Sequence, residues 1–316
     1  MAEYNEGNLR ESLSLWDGYP HDDASFFERR LRRIDRALSG GSDYGPLSAH
    51  SRFGKSLGLG FLCRFGYHIM ASQTVENASL DASQRVVFLG QAAEFQEFST
   101  LEQYVTPSLE YYGETLLQLM ATSRADLLAA TEEIALSVLR SGRYAPPEGT
   151  TGYFTQPSKI GVFALEMLAQ ARGETIDWES FHVPPDRFWL DVARIGLNEP
   201  DPAKAAEWAQ ELCEAHMRTL ATDVENGTMG SSTGHEIRRE AHFLWPITTV
   251  AFLRMRAGLG HRTDPVDHPL MRTSFQVLHD WQVPAGSWPG APWWAEVLNK
   301  TQTIAPGLAP QIGLIR

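Results

Sequence analysis

Apolar side chains recur along this chain at three- and four-residue intervals, the spacing that gathers them on one face of an α-helix. The first clear case begins at Ser25-Phe-Phe-Glu28. There the serine oxygen accepts one backbone N–H while the glutamate reaches back to another, a capping box. Phe27, Leu31, Ile34 and Leu38 then share a face, five arginines at 29, 30, 32, 33 and 36 take the remainder, and Gly40-Gly41 ends the helix. The pattern resumes from about 47 to 75 despite Gly54, Gly58, Gly60 and Gly66. Each glycine costs a helix interior roughly 1 kcal/mol against alanine. Tolerating them predicts a central helix pressed close to its neighbours, with a break near Gly58-Leu-Gly60 as the alternative.

Further helices are predicted at about 83–98, 107–120 and 123–141. Thr106-Pro107 supplies an N-cap with proline in the first helical position, and Ser123-Arg-Ala-Asp126 resembles a second cap. Residues 141–155 contain Gly142, Pro146-Pro147, Gly149 and Gly152, which cannot continue a helix. Beyond them helices are expected at about 156–172, 185–197, 202–223, 234–257 and 268–281. Asp201-Pro202 opens the third of these, Thr233-Gly-His-Glu236 opens the fourth, and Pro246 should kink that fourth helix. Strand-like alternation is nearly absent, leaving room for a short hairpin at most. The expected fold is all-α, a multi-helix bundle or irregular array of about ten helices. Its expected layout is an arm (1–20), a helical half (21–140), a linker (141–155), a second helical half (156–283) and a Pro/Gly/Trp-rich tail (284–316).

Charge narrows the range of partners. The chain of 316 residues has a formal net charge of −12, from 27 basic and 39 acidic side chains. Such a balance repels phosphate backbones, so no nucleic-acid partner is expected, and a cationic partner is favoured over an anionic one. No apolar stretch approaches the roughly 20 residues that span a bilayer. The first residues lack the basic start and apolar core of a signal peptide, so the expected compartment is cytoplasmic and membrane association is not expected. Cys63 and Cys213 form neither a CxxC pair nor a zinc-spaced cluster, and buried free thiols are expected.

Candidate chemistry is sparse. His235, Glu236, Glu240 and His242 fall on a predicted helix, but neither the HExxH spacing of zinc hydrolases nor the Glu-x-x-His spacing of di-iron bundles is present. Partners for Arg239 and complements to the helix dipole are the favoured reading of the two glutamates. The loop from Asn226 to Gly234 is glycine-rich, yet lacks the Gly-Lys-Ser/Thr ending of a phosphate-binding loop. No nucleophile elbow appears, and neither a catalytic residue, a metal nor any other cofactor is assigned. Trp288, Trp293 and Trp294 in the tail suit a segment stapled over the bundle better than a recognition surface.

The acidic charge is concentrated. Between Arg85 and Ile134 lie Glu94, Glu97, Glu102, Glu110, Glu114, Asp126, Glu132 and Glu133, against Arg85 and Arg124 alone, a net −6. Tyr104, Tyr111 and Tyr112 are interleaved with them. An acidic surface carrying tyrosines is what a binder of a basic protein presents. The expected partner-binding residues are therefore Glu94, Glu97, Glu102, Tyr104, Glu110, Tyr111 and Glu114.

Three segments carry a family resemblance. They are Tyr153-Phe-Thr-Gln-Pro-Ser-Lys-Ile-Gly-Val-Phe-Ala-Leu-Glu-Met-Leu168, Arg187-Phe-Trp-Leu-Asp-Val-Ala193, and Glu240-Ala-His-Phe-Leu-Trp-Pro-Ile-Thr-Thr-Val-Ala-Phe-Leu-Arg254. Together they resemble immunity family forty-nine of bacterial polymorphic toxin systems. The resemblance implies an all-helical protein encoded beside a toxin gene, acting on a cognate toxin by direct binding and not by catalysis. It transfers no functional residues. Two other classes stay open: a helical enzyme with a pocket around His235, Glu236, Glu240 and His242, and a non-catalytic helical scaffold or regulator. Elemental analysis separates the first from the rest. Purified protein is expected to hold no stoichiometric zinc, iron or manganese. One metal per chain, lost when His235 and His242 become alanine, would revive the enzyme reading.

Overall fold

The computed structural model describes residues 109–122, 125–142, 144, 157–226 and 245–272, all within the Pro107–Gln282 segment of one compact unit. Among these residues the fold is helical and contains no strand. In chain order come α1 (Leu109–Ala121), α2 (Ala125–Arg140), α3 (Ile160–Ala171), α4 (Arg187–Arg194), a 3-10 turn (Gly196–Asn198), α5 (Pro202–Asn226), α6 (Ile247–Gly258) and a second 3-10 turn (Pro269–Arg272). None of the described helices is long and apolar enough to cross a membrane. The predicted helices at 25–40, 47–75 and 83–98, the 227–244 segment and the tryptophan tail lie outside the described residues.

Helix α3 is the centre of this unit. Its sequence, IGVFALEMLAQA, is apolar around nearly its whole circumference, and every residue from Ile160 to Ala169 is buried. A helix of that kind needs neighbours on all sides. It has α1 on one flank and α4 on another, with α6 touching both α1 and α3. Segments before and after 141–155 thus pack directly on each other. At the α1–α3 crossing Gly113 lies on Gly161. A Cβ on Gly113 would sit 2.5 Å from the Gly161 nitrogen, and one on Gly161 would sit 2.6 Å from the side chain of Leu109. The two backbones touch, and no other residue type fits between them.

Helix boundaries follow the caps. Asp186 starts α4, its carboxylate accepting from the Phe188 N–H at 3.0 Å and the Trp189 N–H at 3.4 Å. Asp201 does the same for α5, accepting from Ala203 N–H at 2.9 Å, with Pro202 in the first helical position. Pro246 departs from expectation. It does not kink a continuous helix but stands as the N-cap of α6, with Trp245 in a bend before it. Proline disfavours helical backbone in the preceding residue and lacks the N–H that a helix interior needs, so starting the helix here removes both conflicts. Of the predicted helix at 268–281, the described residues form the 3-10 turn Pro269–Arg272.

Arg256 locks the far end of α6. Its guanidinium is fully buried and donates to the carbonyls of Gly196 (2.7 Å), Leu197 (2.8 Å), Glu199 (2.8 Å) and Arg262 (2.8 Å), and to Thr263 Oγ1 (2.9 Å). All five donors are matched, so one side chain ties the end of α4 and the 260s loop to α6. The Phe252 ring lies 5.7 Å from the guanidinium carbon, adding a cation–π contact. Burial lowers the Arg256 pKa, with Glu199 opposing the shift.

Two glycines give a paired test of this packing. Gly113→Ala should destabilise the fold by about 1–3 kcal/mol, because the intruding methyl meets backbone and not a movable side chain. Gly258→Ala, at a site with open space around its Cβ, should be neutral or stabilising by up to about 1 kcal/mol. Urea unfolding of both variants checks this. Equal stabilities would mean that the α1–α3 crossing is not the tight constraint described.

Candidate functional site

The structure places three of the expected partner-binding residues, Glu110, Tyr111 and Glu114, on α1. Glu94, Glu97, Glu102 and Tyr104 lie outside the described residues. Glu110 turns inward. Its Oε1 accepts from the Ser158 hydroxyl and from Lys159 N–H (2.9 Å), while Oε2 accepts from Gly161 N–H (3.2 Å). A carboxylate there satisfies unpaired N–H groups at the start of α3 and complements its positive end. Glu114 is only 2% exposed. Tyr111 is half-buried, edge-on to Tyr112 with ring centroids 6.5 Å apart. Glu114 therefore does not belong to a solvated acidic face, and Glu110 is a cap for α3. The physical reason is the close α1–α3 crossing, which buries α1 along most of its length. Farther on, Glu132 pairs with Arg172 through both oxygens, at 2.8 and 3.1 Å, while Glu133 is exposed. Bonding to Glu132 raises the Arg172 pKa, against the opposing effect of burial.

His235, Glu236, Glu240, His242 and the glycine-rich loop before them lie outside the described residues. Cys213, on α5, is buried with its sulfur 3.3 Å from Thr249 Oγ1. Burial pushes its thiol pKa up to about 12, which keeps it protonated and a poor nucleophile.

A feature the sequence reading passed over lies between α3 and α4. The loop joining them folds back over α4 and frames an open cleft of about 920 Å³. Its position is set by Glu166, the one charge on α3 and 0% exposed. The Arg194 Nε donates to Glu166 Oε1 at 2.8 Å, and Trp178 Nε1–H donates to Oε2 at 2.8 Å. Gln170 adds a bond to Oε1 at 3.3 Å and reaches the Glu174 carbonyl and Thr175 Oγ1. Arg194 also donates from Nη2 to the Ile176 carbonyl at 2.9 Å. One buried carboxylate thereby holds two elements and the loop between them. A burial this deep is tolerable only because the charge is paired and every acceptor is used.

Backbone bonds complete the frame. Ser158 and Pro185 form an isolated parallel bridge, with Ser158 N–H donating to the Pro184 carbonyl and Asp186 N–H to the Ser158 carbonyl, both at 2.8 Å. His182 carries a left-handed backbone, φ 54°, unusual for a residue with a side chain. The cleft wall is apolar, formed by Ile176, Trp178, Val183, Pro184 and Leu190, and its rim carries Asp177, Glu179 and His182. Two sequence signals point here: a single glutamate in an otherwise apolar helix, and four acids against one arginine from Arg172 to Asp186. Among the described residues no group of three or more His, Cys, Asp or Glu side chains is placed to hold a metal ion.

One titration is built into this unit. His268 is buried, its Nδ1 accepting from Leu270 N–H at 3.2 Å and its Nε2 lying 3.3 Å from Glu214 Oε1. The ring is thus a neutral tautomer that donates from Nε2. Burial lowers its pKa below the ordinary 6.5, opposed by Glu214 and Asp267. The unfolded chain then binds the proton more readily than the folded one, so stability rises with pH. The contribution should be complete above about pH 6.5 and fall away as acid is added below it. His268→Gln should flatten that part of a stability–pH curve, measured by urea unfolding between about pH 7 and 5. An unchanged slope would exclude His268 as its source. No family model matches the chain, and neither does any curated protein or solved structure.

Proposed function

We propose that this protein is an immunity protein, which binds a cognate, basic toxin in the cytoplasm and neutralises it by direct contact, without a cofactor and without catalysis. The whole chain on this reading is an array of about ten helices. The observation that carries it is the convergence of the three family-resembling segments. Their described parts contribute to α3, α4 and α6, with α3 packing against each of the other two and the Phe163 and Trp189 rings 5.4 Å apart. Among the charged groups there, Glu166, Arg194 and Arg256 are committed to bonds that hold helices and loops in place. Such segments make a scaffold, and recognition is left to exposed charge on the surface. Overall charge supports a cationic protein partner and speaks against nucleic acid.

From the acidic stretch, Glu94, Glu97, Glu102, Tyr104 and the half-buried Tyr111 remain the proposed contact residues, with Glu110 and Glu114 serving the fold. Co-expression with the product of the neighbouring gene should yield a stable complex and protect cells from that product. The association rate should fall as salt screens the field, and Glu94→Lys with Glu97→Lys should slow it by about tenfold. Absence of both complex and protection would sink the immunity reading. A complex without protection would favour a helical scaffold or regulator.

A further inference from the structure

We propose that the cleft between α3 and α4 receives a lysine or arginine side chain presented by a partner protein. This deepens the immunity reading and rests on it for the partner's identity. The cleft has the two parts such a side chain requires. Ile176, Trp178, Val183 and Leu190 form an apolar wall for the aliphatic stem, and Asp177 and Glu179 stand exposed at the rim for the cationic head. Asp177 uses one oxygen to accept from Ser180 N–H at 3.3 Å, which orients its carboxylate.

The one cation lining the cleft, Arg194, is matched by Glu166 at 2.8 Å, so it offers little repulsion to a second cation. Arg172, the one arginine of the 172–186 stretch, is paired with Glu132 and Glu174. The remaining balance is negative, which suits a base and disfavours an anionic ligand. The receiving surface is also held in advance. Trp178 is tied to Glu166, Ile176 to Arg194, Val183 N–H to the Trp178 carbonyl at 3.1 Å, and Pro184 to Ser158. A loop already fixed loses little conformational freedom on binding, so more of the interaction appears as affinity. The left-handed His182 fits this account, since backbone strain held in place by its surroundings gathers at binding sites.

The test uses the full chain and a fluorescent pentapeptide of alternating lysine and leucine, with its glutamate counterpart as control. Anisotropy should show the lysine peptide binding and the glutamate peptide failing to bind. Asp177→Asn with Glu179→Gln, which keeps the shape of the rim, should weaken the lysine peptide by about tenfold. Leu190→Asn should weaken it through the wall, and Glu207→Gln with Glu211→Gln on the exposed face of α5 should change nothing. Equal binding by the rim variant and the unaltered chain would overturn the proposal, as would no binding of the lysine peptide. An apolar ligand as occupant would show itself by losing affinity in the wall variant alone. With the neighbouring gene product as partner, a complex unaffected by the rim substitutions removes the cleft and leaves the immunity reading intact. Peptide binding at the rim without any complex does the reverse.

Discussion

Direct backbone contact between α1 and α3 is the constraint on which the rest of this unit depends. Because Gly113 and Gly161 have no side chains, the two helices approach closer than any pair separated by Cβ atoms. That approach brings Glu110 within reach of the first N–H groups of α3 and ends α1's availability as a surface helix. It also places α3 at the centre, where its single charge must find partners. Those partners, Arg194 and Trp178, come from α4 and from the loop before it, so the cleft depends on a crossing at another flank of the same helix.

Charge inside this unit works as fastening. Arg256 holds neutral carbonyls at the ends of other elements, and Glu166 holds donors from three directions. Either group buried alone would be strongly destabilising, and each is tolerable because its bonding capacity is filled. Of the outer charges of the 172–186 loop, Asp186, the Arg172–Glu174 pair and one oxygen of Asp177 are engaged in local bonds, and Glu179 and the second oxygen of Asp177 face outward.

The helices were legible from their periodicity, and α5 also from its own cap. Asp201-Pro202 opens α5 as read, and α1, α2 and α3 fall within a few residues of expectation. Pro246 was misjudged for a local reason: the sequence shows that proline interrupts a helix, but not whether a helix precedes it. The site was harder to see. Glu110 and Glu114 look like surface acids one turn apart, and nothing in their spacing tells that Gly113, between them, lies against Gly161 and turns that side of α1 inward. Asp177 and Glu179 sit in a stretch without periodicity, so only their placement by Glu166, from another helix, makes them neighbours of an apolar wall.

Cys213 offers a way to watch this unit move. Its sulfur sits at the α5–α6 seam beside Thr249, out of reach of any reagent while the two helices stay together. A thiol so placed reacts only when the seam parts, and its labelling rate then counts those partings. In a chain whose Cys63 is replaced by serine, that rate becomes a clock for the opening of one helix pair. A partner that gripped the loop between α3 and α4 would slow the clock only if its hold were carried through α3 to α6. The native cysteine thus distinguishes a partner that rests on the scaffold from one that stiffens it.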